Sequence, residues 1–266
     1  MFNLIITTSE TVLADTGLTQ EQLDNVLEGI EFAAELWGRY IDAPDADIDL
    51  FLSFENLGDA LANAGPNFFS FNGGPFLSEV TEELNGRPDS GGVLSYGEID
   101  ANLTVNLARV LEGDFFFTDS LEYVSSPGAQ GQFDFLSLIA HELGHALGFN
   151  SIAFQPFFSE GAFTGENAVA ANGGVVELVS DGVHLVGNDL LGTTLFNNTR
   201  EVISAVHIGI LEDIGVPIVE ASQSADVLYG FNLVDDLLDG QSGDDTLFGL
   251  TGDDLCLLYT SDAADE

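Results

Sequence analysis

Two histidines one helical turn apart, with a glutamate beside the first, are the residues most able to do chemistry: His141-Glu142-Leu143-Gly144-His145-Ala146-Leu147-Gly148. Each residue of an α-helix advances by about 100°, so His141 and His145 project from one stripe about 40° apart, where a single ion can take both imidazoles. Glu142 lies about a quarter-turn round from His141, too far for an easy third ligand but within reach of a water held by that ion. Two neutral imidazoles and a third ligand hold Zn²⁺ with one position open. Zinc acidifies its water and polarises a scissile carbonyl. Glu142 is then the catalytic general base, taking the water proton and delivering it to the leaving amine. A bare H-E-x-x-H also arises by chance on ordinary helices. Here Gly148 follows at a place where the chain can turn beneath the metal, and the chain has only 4 histidines, two of them in this motif.

The motif has to be held by a helix, expected over about residues 133 to 149. Leu136, Ile139, Leu143 and Leu147 fall opposite the histidines, so this helix is expected to bury one face in the core and aim His141 and His145 away from it. A second helix is read over 17 to 40, where Leu23, Val26, Leu27, Ile30, Ala33 and Ala34 recur at helical spacing behind a Thr19/Gln22 capping box. Residues 47 to 54 and 99 to 107 alternate polar and apolar and read as strands. Residues 56 to 95 look irregular, and 150 to 200 read as loop and short strand. A last helix is expected over 201 to 214, stopped by Gly215 and Pro217. Phe154, Phe157, Phe158 and Phe163 read as core more readily than as a pocket lining shared with Ser151.

Length and composition bound these expectations. The 266 residues are 45% hydrophobic with 21 Phe, enough for one sizeable core and a small appendage or for two modest domains. Against 45 acids stand four arginines and no lysine, a net charge of −41. Such a surface repels nucleic acid and anionic membranes. It suits divalent cations or a saline medium. The one cysteine, Cys256, excludes an internal disulfide. No apolar run is long enough to span a bilayer, and the first residues lack the basic and apolar regions of a signal peptide. There is no Gly-rich phosphate loop, Cys-His pair or nucleophilic serine motif.

Past Ala221 the texture changes. Asp-x-Leu-x-Gly occurs at Asp226, Asp236 and Asp245 and begins again at Asp254, with Cys256 in the Leu place. The stretch Gly240-Gln241-Ser242-Gly243-Asp244-Asp245-Thr246-Leu247-Phe248 lacks only the second Gly of a calcium-binding nonapeptide. This pattern leads to the expectation of a partial parallel β-roll over residues 222–255, with Leu238 and Leu247 turned inward. Gly240, Gly243, Gly249 and Gly252 would serve its turns, and Asp236, Asp245 and Asp254 would meet Ca²⁺ between them. An acidic disordered tail is the plainer alternative, but it need not keep Leu in register. Residues 256–266 break the repeat and look like the in-frame translation of a sequencing adapter.

The run H-E-L-G-H-A-L-G, with an alternating strand upstream and a turn and helix downstream, resembles the metzincin clan of zinc metalloproteases. The nonapeptides resemble those of secreted RTX-type bacterial proteases. The resemblance implies an α+β fold for residues 1–221, a twisted mixed sheet plus the active-site helix. It also implies a secreted endopeptidase, exported by a C-terminal signal missing here, that holds protein or peptide substrates along an edge strand, for which Ile99–Leu107 is the candidate. Two departures stand out. The usual third ligand position holds Ser151, a poor zinc ligand. A more distant third ligand, as in leishmanolysin-like enzymes, leaves His184 as the expected choice, with His207 and Asp181 as alternatives. The methionine of the family's turn below the metal is also missing, and Leu195 is the expected substitute. Both departures keep open a non-catalytic calcium-binding surface or adhesion protein, and the motif also fits a zinc hydrolase acting on something other than peptides.

Overall fold

The structure is a computed structural model that describes residues 2–70, 76–86, 99–118 and 120–259. The parts of the sequence reading that fall on residues 71–75, 87–98 and 260–266 lie outside the described residues.

Four strands form the main sheet in the order Asn3–Thr8, Asp47–Glu55, Ala101–Asn106, Ala62–Pro66. The first three run parallel and the last antiparallel. Parallel neighbours need a crossover, and the long helix Gln20–Gly38 lies in the one between the first two strands. It starts on the expected box: Gln22 N–H donates to Thr19 Oγ1, and Thr19 N–H donates to Gln22 Oε1. Ile48, Leu50 and Leu52 alternate into the same core as Ala101, Leu103 and Val105, together with Val26, Ile30, Ala33 and Trp37 of the long helix.

The motif helix spans Phe135–Leu147, and every residue of it except His145 is buried. This corrects the expectation of one buried face. The helix is a central element, packed between Gln20–Gly38 and Ala62–Pro66, with Leu191 against Gly144. Trp37 Nε1 donates to the Ala140 carbonyl at 2.8 Å. At the N-terminus Asp134 accepts the Ser137 N–H and is gripped by Arg200, with Nε to Oδ2 at 3.0 Å and Nη2 to Oδ1 at 2.9 Å. A helix enclosed this way holds its side chains in fixed directions.

The edge assignment also needs correction. Ala101–Asn106, within the stretch expected at the edge, is an interior strand. Alternation reports a buried face but says nothing of lateral neighbours. The edge on that side is Ala62–Pro66, inside the stretch read as irregular. Asn106 N–H donates to the Leu61 carbonyl, and Asn67 N–H donates to the Asp100 carbonyl. These bonds mark 61/106 and 67/100 as hydrogen-bonded pairs, so the intervening non-bonded positions Ala62, Ala64 and Pro66 turn their backbone polar groups away from the sheet.

The region 150 to 200 holds two helices that were not expected, Ser151–Phe154 and Glu166–Asn172. The second packs on the terminal helix Ala205–Asp213, whose Asp213 carboxylate accepts the N–H groups of Asn167 and Ala168. In the repeat region Val227–Tyr229 pairs in parallel with Thr246–Phe248, and Leu237–Ser242 with Leu255–Tyr259, so strands two repeats apart stack. Leu238 and Leu247 are half-buried. Tyr40 joins this region to the body: its hydroxyl donates to the Gly230 carbonyl at 2.7 Å and its ring stacks on Phe231. The chain is thus a mixed α+β protein. Among the described residues no helix is long and apolar enough to cross a membrane.

Candidate metal centre

Three histidine rings converge. His141 Nε2 lies 3.1 Å from His145 Nε2, which lies 3.2 Å from His184 Nε2. The opposite nitrogen of each ring is engaged elsewhere. His141 Nδ1 meets the Leu190 carbonyl at 2.6 Å, His145 Nδ1 the Phe149 carbonyl at 2.6 Å, and His184 Nδ1 the Asp181 carboxylate at 2.8 Å. All three partners are acceptors, so each neutral ring carries its proton on Nδ1 and turns a bare Nε2 lone pair inward. Lone pairs facing each other at such distances repel unless a cation lies between them. Tetrahedral zinc with Zn–N bonds of about 2.0–2.1 Å sets neighbouring nitrogens about 3.3 Å apart, so the residues present fit that ion. Among the described residues these histidines are the one group of three or more His, Cys, Asp or Glu side chains close enough to hold a metal ion.

Local structure accounts for each ring. His141 and His145 share a stripe of the motif helix. Gly148 ends that helix at φ +142°, and a Cβ there would run into the Ile214 side chain. The turn brings the Phe149 carbonyl back to His145. His184 follows a tight turn in which Asp181 Oδ1 accepts the N–H groups of Val183 and His184. Asp181 therefore orients the third histidine and is not itself in the cluster. His207 is outside it too, fully buried on the terminal helix. Leu195 lines the cleft, while the residue packed against the motif helix is Leu191, facing Gly144.

Burial, reinforced by His145, pushes His141 down to about 3. Burial also lowers His145, with the Phe149 carbonyl opposing it. Both rings are therefore neutral and available as ligands near neutral pH. Glu142 is 6% exposed, and burial pushes it up to about 8 against a backbone hydrogen bond from Ala64. Burial raises Asp181, but the N–H groups of His184 and Val183 and the His184 ring outweigh it and hold the carboxyl below its ordinary value.

The histidines open onto a cleft of about 710 Å³. The edge strand Ala62–Pro66 forms one wall, with Phe133, Leu138, Ser151 and Leu195 elsewhere in the lining. Phe154 and Phe163 are fully buried and Phe157 is half-buried against the core, whereas Phe158 is exposed and departs from the core expectation; none of the four lines the cleft. Three contributors were not read from the sequence: the carbonyls of Leu190 and Phe149, and the edge strand. Their roles are carried by backbone atoms, which leave no trace in residue type. Asp181, three residues before His184, was the one orienting group open to sequence reading.

In the repeats, Asp245 Oδ1 accepts the Asp226 N–H, Asp254 Oδ1 the Asp236 N–H, and Asp236 Oδ2 the Phe231 N–H. Asp245 Oδ2 is buried without a partner. Gly243 and Gly252 take φ +148° and +155°. Gly240 and Gly249 lie beneath the Asp245 and Asp254 side chains. These acids do not form a cluster like that of the histidines among the described residues.

The chain matches no family model, and comparison with curated proteins and with solved structures returns no match either.

Proposed function

We propose that this chain is a secreted zinc-dependent endopeptidase of metzincin-like type whose C-terminal repeats form a calcium-binding β-roll. The observation that carries the reading is the inward convergence of three Nε2 lone pairs beside the buried carboxyl of Glu142. His141, His145 and His184 would hold the ion. Zinc, when bound, supplies a Lewis acid that polarises the carbonyl and acidifies water. Glu142 takes the proton of the attacking water and returns it to the leaving amine. Without metal, burial keeps Glu142 protonated at neutral pH. A dication held by the adjacent histidines opposes that shift and frees the carboxylate to act as base. The outward backbone groups of Ala62, Ala64 and Pro66 offer an extended peptide a strand to pair with. Ala64 of that strand and Glu142 line the same cleft, so base and strand face one space.

In the repeats the unpartnered Asp245 oxygen and the positive-φ glycines support a calcium site with Asp236, Asp245, Asp254, Gly240, Gly243, Gly249 and Gly252. Calcium-dependent repeats on a chain of net charge −41 suit an extracellular setting.

Zinc content and casein hydrolysis of the purified protein test the reading. Bound zinc and turnover, both lost in chelator, with turnover lost in Glu142→Ala, are the expected results. Stoichiometric zinc without hydrolysis of casein or of broad peptide libraries would replace the endopeptidase by a non-catalytic binding protein.

A further inference from the structure

Behind the histidine cluster lies a second, separate pair. His207 is fully buried on the terminal helix. Its Nδ1 accepts the Ser204 N–H at 3.0 Å, which puts the proton of the neutral ring on Nε2. Nε2 then donates to Asp189 Oδ1 at 2.6 Å. The same Asp189 oxygen accepts the Leu191 N–H at 2.9 Å. A buried histidine needs a partner for its Nε2–H, and here that partner is a loop carboxylate on the turn beside the candidate metal ligands.

From these contacts the geometry assigns His207 and Asp189 the role of a positioning pair for all three candidate metal ligands, an inference that rests on the zinc reading above. The turn pinned by Asp189 carries the Leu190 carbonyl that orients His141. Its Leu191 carbonyl accepts the Leu185 N–H, next in the chain to His184, and Leu185 bridges to Gly192. The His207 ring also packs edge-on against Phe149, with centroids 6.0 Å apart, and Phe149 supplies the carbonyl that orients His145. The groups behind the three rings, the Leu190 carbonyl, the Phe149 carbonyl and Leu185, lie on separate segments of backbone, yet each segment touches this pair or the turn it pins. Groups that fix ligand orientation from behind typically change metal affinity 10- to 100-fold.

Co²⁺ binding to the full chain tests the pair, read by titration and by the visible spectrum, which reports coordination geometry. His207→Leu fills the space but cannot hold Asp189, and its Co²⁺ affinity is expected to fall about tenfold or more with an altered spectrum. His207→Gln keeps the cap to Ser204 and a donor for Asp189, so it is expected to restore both affinity and spectrum. Asp189→Ala, on a side chain 26% exposed, breaks the same link without emptying the core and repeats the loss if the leucine variant does not fold. Wild-type affinity and spectrum in either His207→Leu or Asp189→Ala overturn the positioning role. A wild-type chain that takes up no Co²⁺ overturns the metal-site reading instead.

Discussion

Glu142→Gln is expected to abolish hydrolysis and to stabilise the metal-free protein at alkaline pH. The carboxyl is buried, and its pKa rises from 4.5 to about 8 on folding. A raised pKa contributes stability that is complete below the unfolded value and is lost as pH climbs through the folded one. The loss therefore runs from about pH 4.5 to 8. That span of about 3.5 units, at about 1.4 kcal/mol per unit, is on the order of 5 kcal/mol. Glutamine is neutral throughout, so the variant escapes the loss. The assay is denaturant unfolding of both proteins at pH 4.5 and 8, with a zinc-selective chelator present and calcium retained. Their stabilities should agree at pH 4.5 and diverge by several kcal/mol at pH 8, with the variant ahead. Equal stabilities at pH 8, or a gap that does not change with pH, would refute the idea that burial of Glu142 raises its pKa.

His184→Ala should lower zinc affinity on the order of a hundredfold, measured by chelator competition, because it leaves two protein ligands; unchanged affinity would remove His184 from the site. In the metal-free Glu142→Gln variant, where the opposing titration of the glutamate is absent, stability should fall as pH falls from 6.5 toward 3, because the unfolded chain protonates at the upper value and buried His141 only near the lower one, and a flat profile in thermal melts of that variant would contradict this. Arg200→Ala leaves the 0%-exposed Asp134 carboxylate without its cation, a loss of about 3–5 kcal/mol in denaturant titrations. Calcium should raise the melting temperature of the repeat region, and Asp245→Asn should weaken that response if its buried oxygen faces the ion.

How much of this was legible depends on where the information lies. The motif helix and the Thr19 cap are local, so helical spacing and one short motif suffice. His184 was reached through the resemblance, which implied a distant third ligand and left two histidines to choose from, and the structure brings it to His141 and His145. The edge strand was not legible: Ala62, Asn63, Ala64, Gly65 and Pro66 have weak strand preferences, and they form a strand because Ala101–Asn106 pairs with them. The same absence of lateral information made the interior strand look like an edge. Glu166–Asn172 lacks a side-chain cap of its own and depends on Asp213, nearly fifty residues away, for two of its first N–H groups.

The edge strand has a consequence of another kind. An unpaired strand edge invites other chains to add to it and begin aggregates. This edge is five residues long and ends at Pro66, which has no N–H to donate. The whole chain also carries a charge of −41 that keeps copies apart. The edge proposed to receive one short peptide is therefore a poor template for a second copy of the protein.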